Sequence, residues 1–147
     1  MLTVNLSLMG LEDLEGGVSL YQQTFNAPPW NEGWGSDAAG QRLKAILSAS
    51  NGLGVLANRE GTPLAFALGY LETWVSGSHF HLKEMCTAPG EQRQGIGSSL
   101  LEFLLLTLKE RGVVQVFCET RTGVAAEAFY RRAGFRTLNL VSLGKRL

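Results

Sequence analysis

Apolar and polar residues recur along the chain with two periods, close to two in some stretches and close to 3.6 in others. Leu2-Thr3-Val4-Asn5-Leu6-Ser7-Leu8 alternates, which predicts a half-buried first strand. Leu11, Leu14, Val18, Tyr21 and Phe25 follow at helical spacing, with Gly16-Gly17 as a weak point between them. The prolines and glycine of Ala27-Pro28-Pro29-Trp30-Asn31-Glu32-Gly33-Trp34 break regular structure. Ser36 is then placed to N-cap a second helix with Leu43, Ile46 and Leu47 on its apolar face. Strands are expected over 54–58 and 64–74, joined by the turn Arg59-Glu60-Gly61-Thr62, and a fourth over 79–87. A long helix is expected over 95–111, stopped by Gly112 and with Lys109 and Arg111 at its negative end. The nearly all-apolar stretch 113–118 predicts a central strand covered on both faces. A shorter helix over 124–132 ends at Gly134, and a last strand is expected over 135–143. No linker interrupts this order, so residues 1–147 read as a single α/β domain.

Composition removes several function classes. Thirteen basic and thirteen acidic residues cancel, and the pI is near 6.7, which argues against a chain built to coat nucleic acid or an anionic membrane. With 45% hydrophobic and 18% charged residues, the chain has the material for a packed core. The eighteen glycines follow no fixed period, so repeat arrays are excluded. No apolar run approaches the length of a membrane span and no base precedes Arg42, so the expectation is a cytoplasmic protein without a signal peptide. Cys86 and Cys118 are too few for a disulfide scaffold or a zinc cluster, and no metal is expected.

The cancelled charge conceals a gradient. Residues 1–78 hold seven acids against three bases, and residues 79–147 hold ten bases against six acids. This is either scatter over a solvated surface or the trace of a cationic ligand on the first half and an anionic one on the second.

The anionic ligand has a candidate site. In Glu84-Met85-Cys86-Thr87-Ala88-Pro89-Gly90-Glu91-Gln92-Arg93-Gln94-Gly95-Ile96-Gly97-Ser98 a strand ends, Pro89 stops the ladder, and a polar loop with two glycines opens a helix. First-turn N–H groups have no intrahelical partner, and at the positive end of the helix dipole they form an anion site. A Walker A loop is excluded because no lysine follows Gly95 or Gly97. A dinucleotide fingerprint wants a third glycine where Leu100 stands, although Glu119 lies near the expected distance downstream.

The third design fits. Gln92-Arg93-Gln94-Gly95-Ile96-Gly97 after Pro89, followed by Tyr130-Arg131-Arg132-Ala133-Gly134-Phe135, resembles the GNAT family of N-acetyltransferases. That family's pyrophosphate loop reads Gln/Arg-x-x-Gly-x-Gly/Ala, with Tyr-x-x-x-Gly-Phe downstream. The resemblance implies a mixed, mostly antiparallel sheet with helices on both faces and splayed fourth and fifth strands. It implies acetyl-CoA as co-substrate and acetyl transfer to a primary amine of a small molecule or peptide, by direct attack in a ternary complex. The alternative is a domain that binds acetyl-CoA without turnover. Where the family often has asparagine, seven residues before the tyrosine, this chain has Gly123. Nucleic acid and membrane partners are not expected, and pairing of two copies is left open.

By the same resemblance, Met85, Cys86 and Thr87 offer backbone groups to the pantetheine amides, and Gln92, Arg93, Gln94, Gly95, Ile96, Gly97 and Ser98 hold the pyrophosphate. Tyr130 aligns with the general acid, for a phenol of pKa about 10 keeps its proton at neutral pH. Glu84, on an otherwise apolar strand, is the candidate base or amine anchor, unless it pairs with Lys83 or Arg121. His79 and His81 share one face of that strand and offer a relay or ordinary packing. Trp30, Glu32 and Trp34 lie in the loop that borders the acceptor in this family, suited to stack on and attract a cation, or to staple the loop.

Overall fold

A computed structural model describes residues 3–147; Met1 and Leu2, the latter within the expected first strand, lie outside the described residues. The element order is β1 (Asn5–Met9), a 3₁₀ turn (Leu11–Asp13), α1 (Leu14–Phe25), α2 (Ser36–Leu47), β2 (Gly52–Arg59), β3 (Thr62–Trp74), β4 (Gly77–Thr87), a 3₁₀ turn (Pro89–Glu91), α3 (Ile96–Glu110), β5 (Val113–Cys118) and α4 (Ala125–Arg132). The strands form one sheet in sequence order. β1 to β4 run antiparallel to their neighbours and β5 runs parallel to β4.

Two apolar clusters sandwich the sheet. Ile96, Leu100, Leu101, Leu104 and Leu108 form the buried stripe of α3 and meet Val55, Ala57, Ala65, Ala67, Phe80 and Leu82. Burial of each such leucine contributes about 2 kcal/mol. On the other face Leu20 and Tyr21 of α1 and Ala39, Leu43 and Ile46 of α2 cover Leu56, Phe66, Leu68 and Cys86. The β2–β3 hairpin turns through Glu60 (φ 51°) and Gly61 (φ 81°), two successive left-handed residues that match the twist of the strands they join.

One irregularity matters for function. Leu68 pairs with Glu84 while Gly69 pairs with Leu82, so Lys83 is an extra residue in β4. Before it, Phe80 and Leu82 point toward α3; after it, Met85 does, and Cys86 points toward α1 and α2. Gly69 is required opposite this bulge, because a Cβ there would lie 2.0 Å from the His81 carbonyl oxygen.

Three expectations need correction. Ser36 is the first residue of α2 rather than its cap; Gly35 holds the N-cap position. β5 is not central: among the described residues it pairs with β4 alone, and Val114 is 60% exposed, so its apolar run reflects a parallel strand open on one edge. The segment 135–143 forms no strand. Gly134 (φ 94°) turns the chain out of α4, the Phe135 N–H bonds to the Tyr130 carbonyl, and side chains hold the segment in place. Arg131 reaches Thr137 (2.7 Å) and Ser142 reaches Glu119 (2.8 Å). Alternation sets which way side chains point, not what the backbone pairs with. Here the segment stands off β5 across a cleft of about 1020 Å³ lined by Gln115, Phe117, Tyr130, Leu138 and Val141 among others.

The bulge gives a stability test. Gly69→Ala should cost about 3 kcal/mol or more and lower the thermal midpoint by roughly 10 °C, whereas Gly90→Ala, with open space at its Cβ, should stay within about 0.5 kcal/mol. Equal midpoints for the two variants in a melting experiment would mean that β4 does not need the close approach.

Candidate active site

The β4–β5 ladder runs from Ser78 opposite Val113 to Leu82 opposite Cys118 and stops. Residues 84–87 of β4 then pair with β3 alone, so among the described residues their other edge has no strand partner. The side chains of this stretch are spoken for. Met85 packs toward α3 and Cys86 is 4% exposed in the opposite cluster, with its thiol pushed well up by burial. What faces the gap is backbone.

The loop after β4 combines Arg93 (φ 65°) and Gly95 (φ 82°), and Gly95 is the N-cap of α3. The Ser99 N–H is the first in α3 to bond back, to the Gly95 carbonyl (3.0 Å), so the N–H groups of Ile96, Gly97 and Ser98 precede the intrahelical ladder. Gln92 and Gln94 turn their amides inward, donating to the carbonyls of Thr87 (3.2 Å) and Gly90 (3.4 Å). Ile96 is buried in the core, so only its backbone faces the loop. Gly97 lies against β4: a Cβ there would sit 3.3 Å from Thr87 Oγ1. Free N–H groups at a helix start, next to an unpaired strand edge, fit a pyrophosphate followed by an amide-bearing arm. A second cleft, between α3 and α4, is lined by Ser98, Lys109, Phe129 and Arg132.

Tyr130 lies on α4 between Phe129 (ring centroids 5.2 Å apart) and Phe135 (5.4 Å). Burial raises its pKa well above the ordinary phenol value, and the charges of Cys118, Cys86 and Glu84 act the same way. Those three side chains belong to both strands flanking the gap. The phenol is therefore neutral near pH 7 and holds a proton. Gly123, in the left-handed region (φ 81°), donates its N–H to Glu127 Oε1 (2.8 Å) at the entry to α4, a backbone role that favours glycine there.

Glu84 occupies the opposite face. It is 8% exposed, and Oε1 accepts from Arg42 Nε (2.7 Å) and from the Tyr21 hydroxyl (3.1 Å). Its partners are thus neither Lys83 nor Arg121. Burial raises its pKa, opposed by the Arg42 hydrogen bond and charge and by the Tyr21 hydrogen bond; the net direction is upward. Trp34 packs edge-on against Tyr21 (5.2 Å), exchanges backbone hydrogen bonds with the Asn26 side chain, and donates its indole N–H to Glu32 Oε1 (3.0 Å). Trp30 packs on Phe25 (5.7 Å). Trp34 thus sits beside Tyr21 and, through it, Glu84, while Glu32 joins them through Trp34 and Trp30 through Phe25.

Sequence reasoning missed several neighbours. Tyr21 reads as one more apolar position of α1, and Arg42 lies beside the Ala39–Leu43–Ile46 stripe of α2, a flanking position that was its only signal. His79 and His81 do share the α1–α2 face, but His81 Nε2 lies 3.4 Å from Glu119 and His79 stacks on Trp74 (5.3 Å). The pairing of His81 with Glu119 depends on the β4–β5 register, which no local pattern encodes.

The comparisons agree with this geometry. Residues 18–135 match the Acetyltransferase (GNAT) family. Over 115 residues the chain is 32% identical to the [ribosomal protein bS18]-alanine N-acetyltransferase of Escherichia coli K12, covering 78% of this chain and 69% of that protein. Aminoglycoside N-acetyltransferase AAC(6')-Iy in complex with CoA superposes with a TM-score of 0.79 at 18% identity, over 99% of this chain and 96% of that one. An aminoglycoside acetyltransferase from an uncultured soil metagenomic sample, in complex with sisomicin, superposes with a TM-score of 0.77 at 16% identity, over 98% and 96%. The chain belongs to the GNAT acetyltransferase family. It is an acyl-CoA-dependent N-acetyltransferase, moving an acetyl group from acetyl-CoA to an amine.

Gly97→Val should push side-chain carbons against Thr87 and across the helix start, weakening CoA binding at least tenfold, or about 1.4 kcal/mol. Isothermal titration with CoA checks this. An unchanged affinity in a folded variant removes the loop from the cofactor site.

Proposed function

We propose that this acetyltransferase joins acetyl-CoA and a cationic primary amine, of a small molecule or a peptide, in one ternary complex and transfers the acetyl group directly. The observation that carries the reading is the placement of Tyr130 and Glu84 on opposite faces of the sheet beside the β4–β5 gap. Bound acetyl-CoA supplies an activated thioester. Gln92 to Ser98 hold its pyrophosphate, and the backbone of Met85, Cys86 and Thr87 pairs with its amides. Glu84 anchors the incoming ammonium through Oε2, the oxygen that Arg42 and Tyr21 leave to it, and takes one proton. The amine nitrogen then forms its bond to the acetyl carbon and the carbon–sulfur bond breaks. Tyr130 delivers its phenolic proton to the departing sulfur, and the second nitrogen proton, released as the amide forms, passes through solvent to restore the phenol.

Charge supports a cationic acceptor. Among the described residues none of the first half's acids is in an ion pair, while two of its three bases, Arg42 and Arg59, are spent on Glu84 and Glu91. Glu32, held beside Trp34 by the indole N–H, is one of these unneutralised acids and lies in the same loop as Trp30. The sisomicin complex and the alanine N-acetyltransferase relative point to two amine classes consistent with it, a polycationic sugar and a peptide terminus.

Tyr130→Phe should lower kcat by about 10²-fold or more with acetyl-CoA affinity near normal, read by free-thiol release and titration. CoA binding without thiol release for any amine in a broad panel would leave a binding domain instead. The pH profile tests Glu84. Burial raises its pKa and Arg42 is the main group holding it down, so Arg42→Met leaves burial opposed by the Tyr21 hydrogen bond alone. The acidic limb of kcat/KM should then move to higher pH, and Glu84→Gln should abolish it with most of the rate. A limb that stays in place in Arg42→Met assigns proton removal to another group.

A further inference from the structure

Arg121 stands three residues beyond the end of β5 and reaches the α1–α2 loop, remote in sequence. Its Nη1 donates to the Pro29 carbonyl (3.3 Å), and its Cζ lies 5.2 Å from the centre of the Trp30 ring, within cation–π range. Trp30 is built into the loop that makes this contact. Its N–H bonds to the Ala27 carbonyl (3.1 Å) and its ring packs on Phe25, which packs on Tyr21 (4.7 Å). Tyr21 in turn donates to Glu84. A continuous set of side-chain contacts thus joins the guanidinium seat to the carboxylate beside the gap.

The partners of Arg121 are a carbonyl oxygen and an aromatic face, and among the described residues it is in no ion pair. Both partners accept positive charge, and neither contact at this exposed position is strong enough to resist exchange. The chain's own guanidinium displays the chemistry that the seat receives.

We propose that Trp30 and the Pro29 carbonyl form a cation subsite of the acceptor pocket, that Arg121 fills it before the acceptor arrives, and that a second positive group on the acceptor displaces Arg121. The inference rests on the reading of the α1–α2 loop as the border of the acceptor. It makes Arg121 a specificity-determining residue: an acceptor with a single charge leaves the strap between the two loops in place, and one with two charges releases it.

Spermidine is the probe, titrated calorimetrically into the wild type, Arg121→Met, Trp30→Leu and the double variant. Methionine keeps much of the arginine stem without its charge. Arg121→Met should bind spermidine at least fivefold more tightly than the wild type, and Trp30→Leu should remove that gain in the double variant. An unchanged or weaker affinity in Arg121→Met overturns the subsite. So does an equal gain with and without Trp30, which reports net charge alone, and so does the absence of spermidine binding in every protein. CoA titrated into the same samples separates the two levels. Intact CoA binding beside a failed spermidine result sinks only the subsite, whereas a wild type that binds no CoA sinks the acetyltransferase site itself.

Discussion

Lys83 is the extra residue in β4, and the site is arranged around it. A regular strand would send every even-numbered side chain of β4 to one face. With one residue inserted, Phe80 and Leu82 pack toward α3 while Glu84 and Cys86 turn toward α1 and α2. The ladder to β5 ends at Leu82 and Cys118, immediately before the bulge, so the change of face and the opening of the sheet coincide. One backbone irregularity thereby gives the gap two chemically different sides. Tyr130 and the α3 helix start lie on one, and Glu84 with the acidic, aromatic loop lies on the other.

The second constraint is electrostatic. A carboxylate as buried as Glu84 is costly unless charge and hydrogen bonds compensate it. Arg42 and Tyr21 do so from two different helices, which ties α1, α2 and β4 together at a single oxygen. Because Arg42 is drawn to a second-half acid, and Arg59 likewise to Glu91, the first half keeps its own acids unneutralised. The charge gradient is thus sharpened by the fold rather than cancelled by it.

Much of this was legible in the residues. The loop Gln92 to Gly97 and the helix after it stand out because glycine, proline and polar residues mark the end of one strand and the start of a helix, and all of that information is local. The element order from β1 to α4 was legible for the same reason, down to the Glu60–Gly61 turn. The Lys83 bulge was not. Its alternation of buried residues is unbroken across the insertion, since both faces of β4 are covered and apolar side chains suit either. The edge position of β5 and the unpaired 135–143 segment were also hidden, because hydrophobic patterning states which side chains seek burial and not which backbone partner is present. Arg42 and Tyr21 became visible only when α1, α2 and β4 were brought together.

The central claim is that acceptor and acetyl-CoA meet across the β4–β5 gap with no covalent enzyme intermediate. The thiols agree with it: burial pushes Cys86 far up and Cys118 up to about 11, with Glu119 adding to the latter, so neither is a ready thiolate. Initial rates measured over a grid of acetyl-CoA and amine concentrations test this most directly. The account predicts intersecting double-reciprocal lines, and a protein incubated with acetyl-CoA alone should keep its unmodified mass. Parallel lines, together with an acetyl group retained on Cys86 or Cys118, would contradict it.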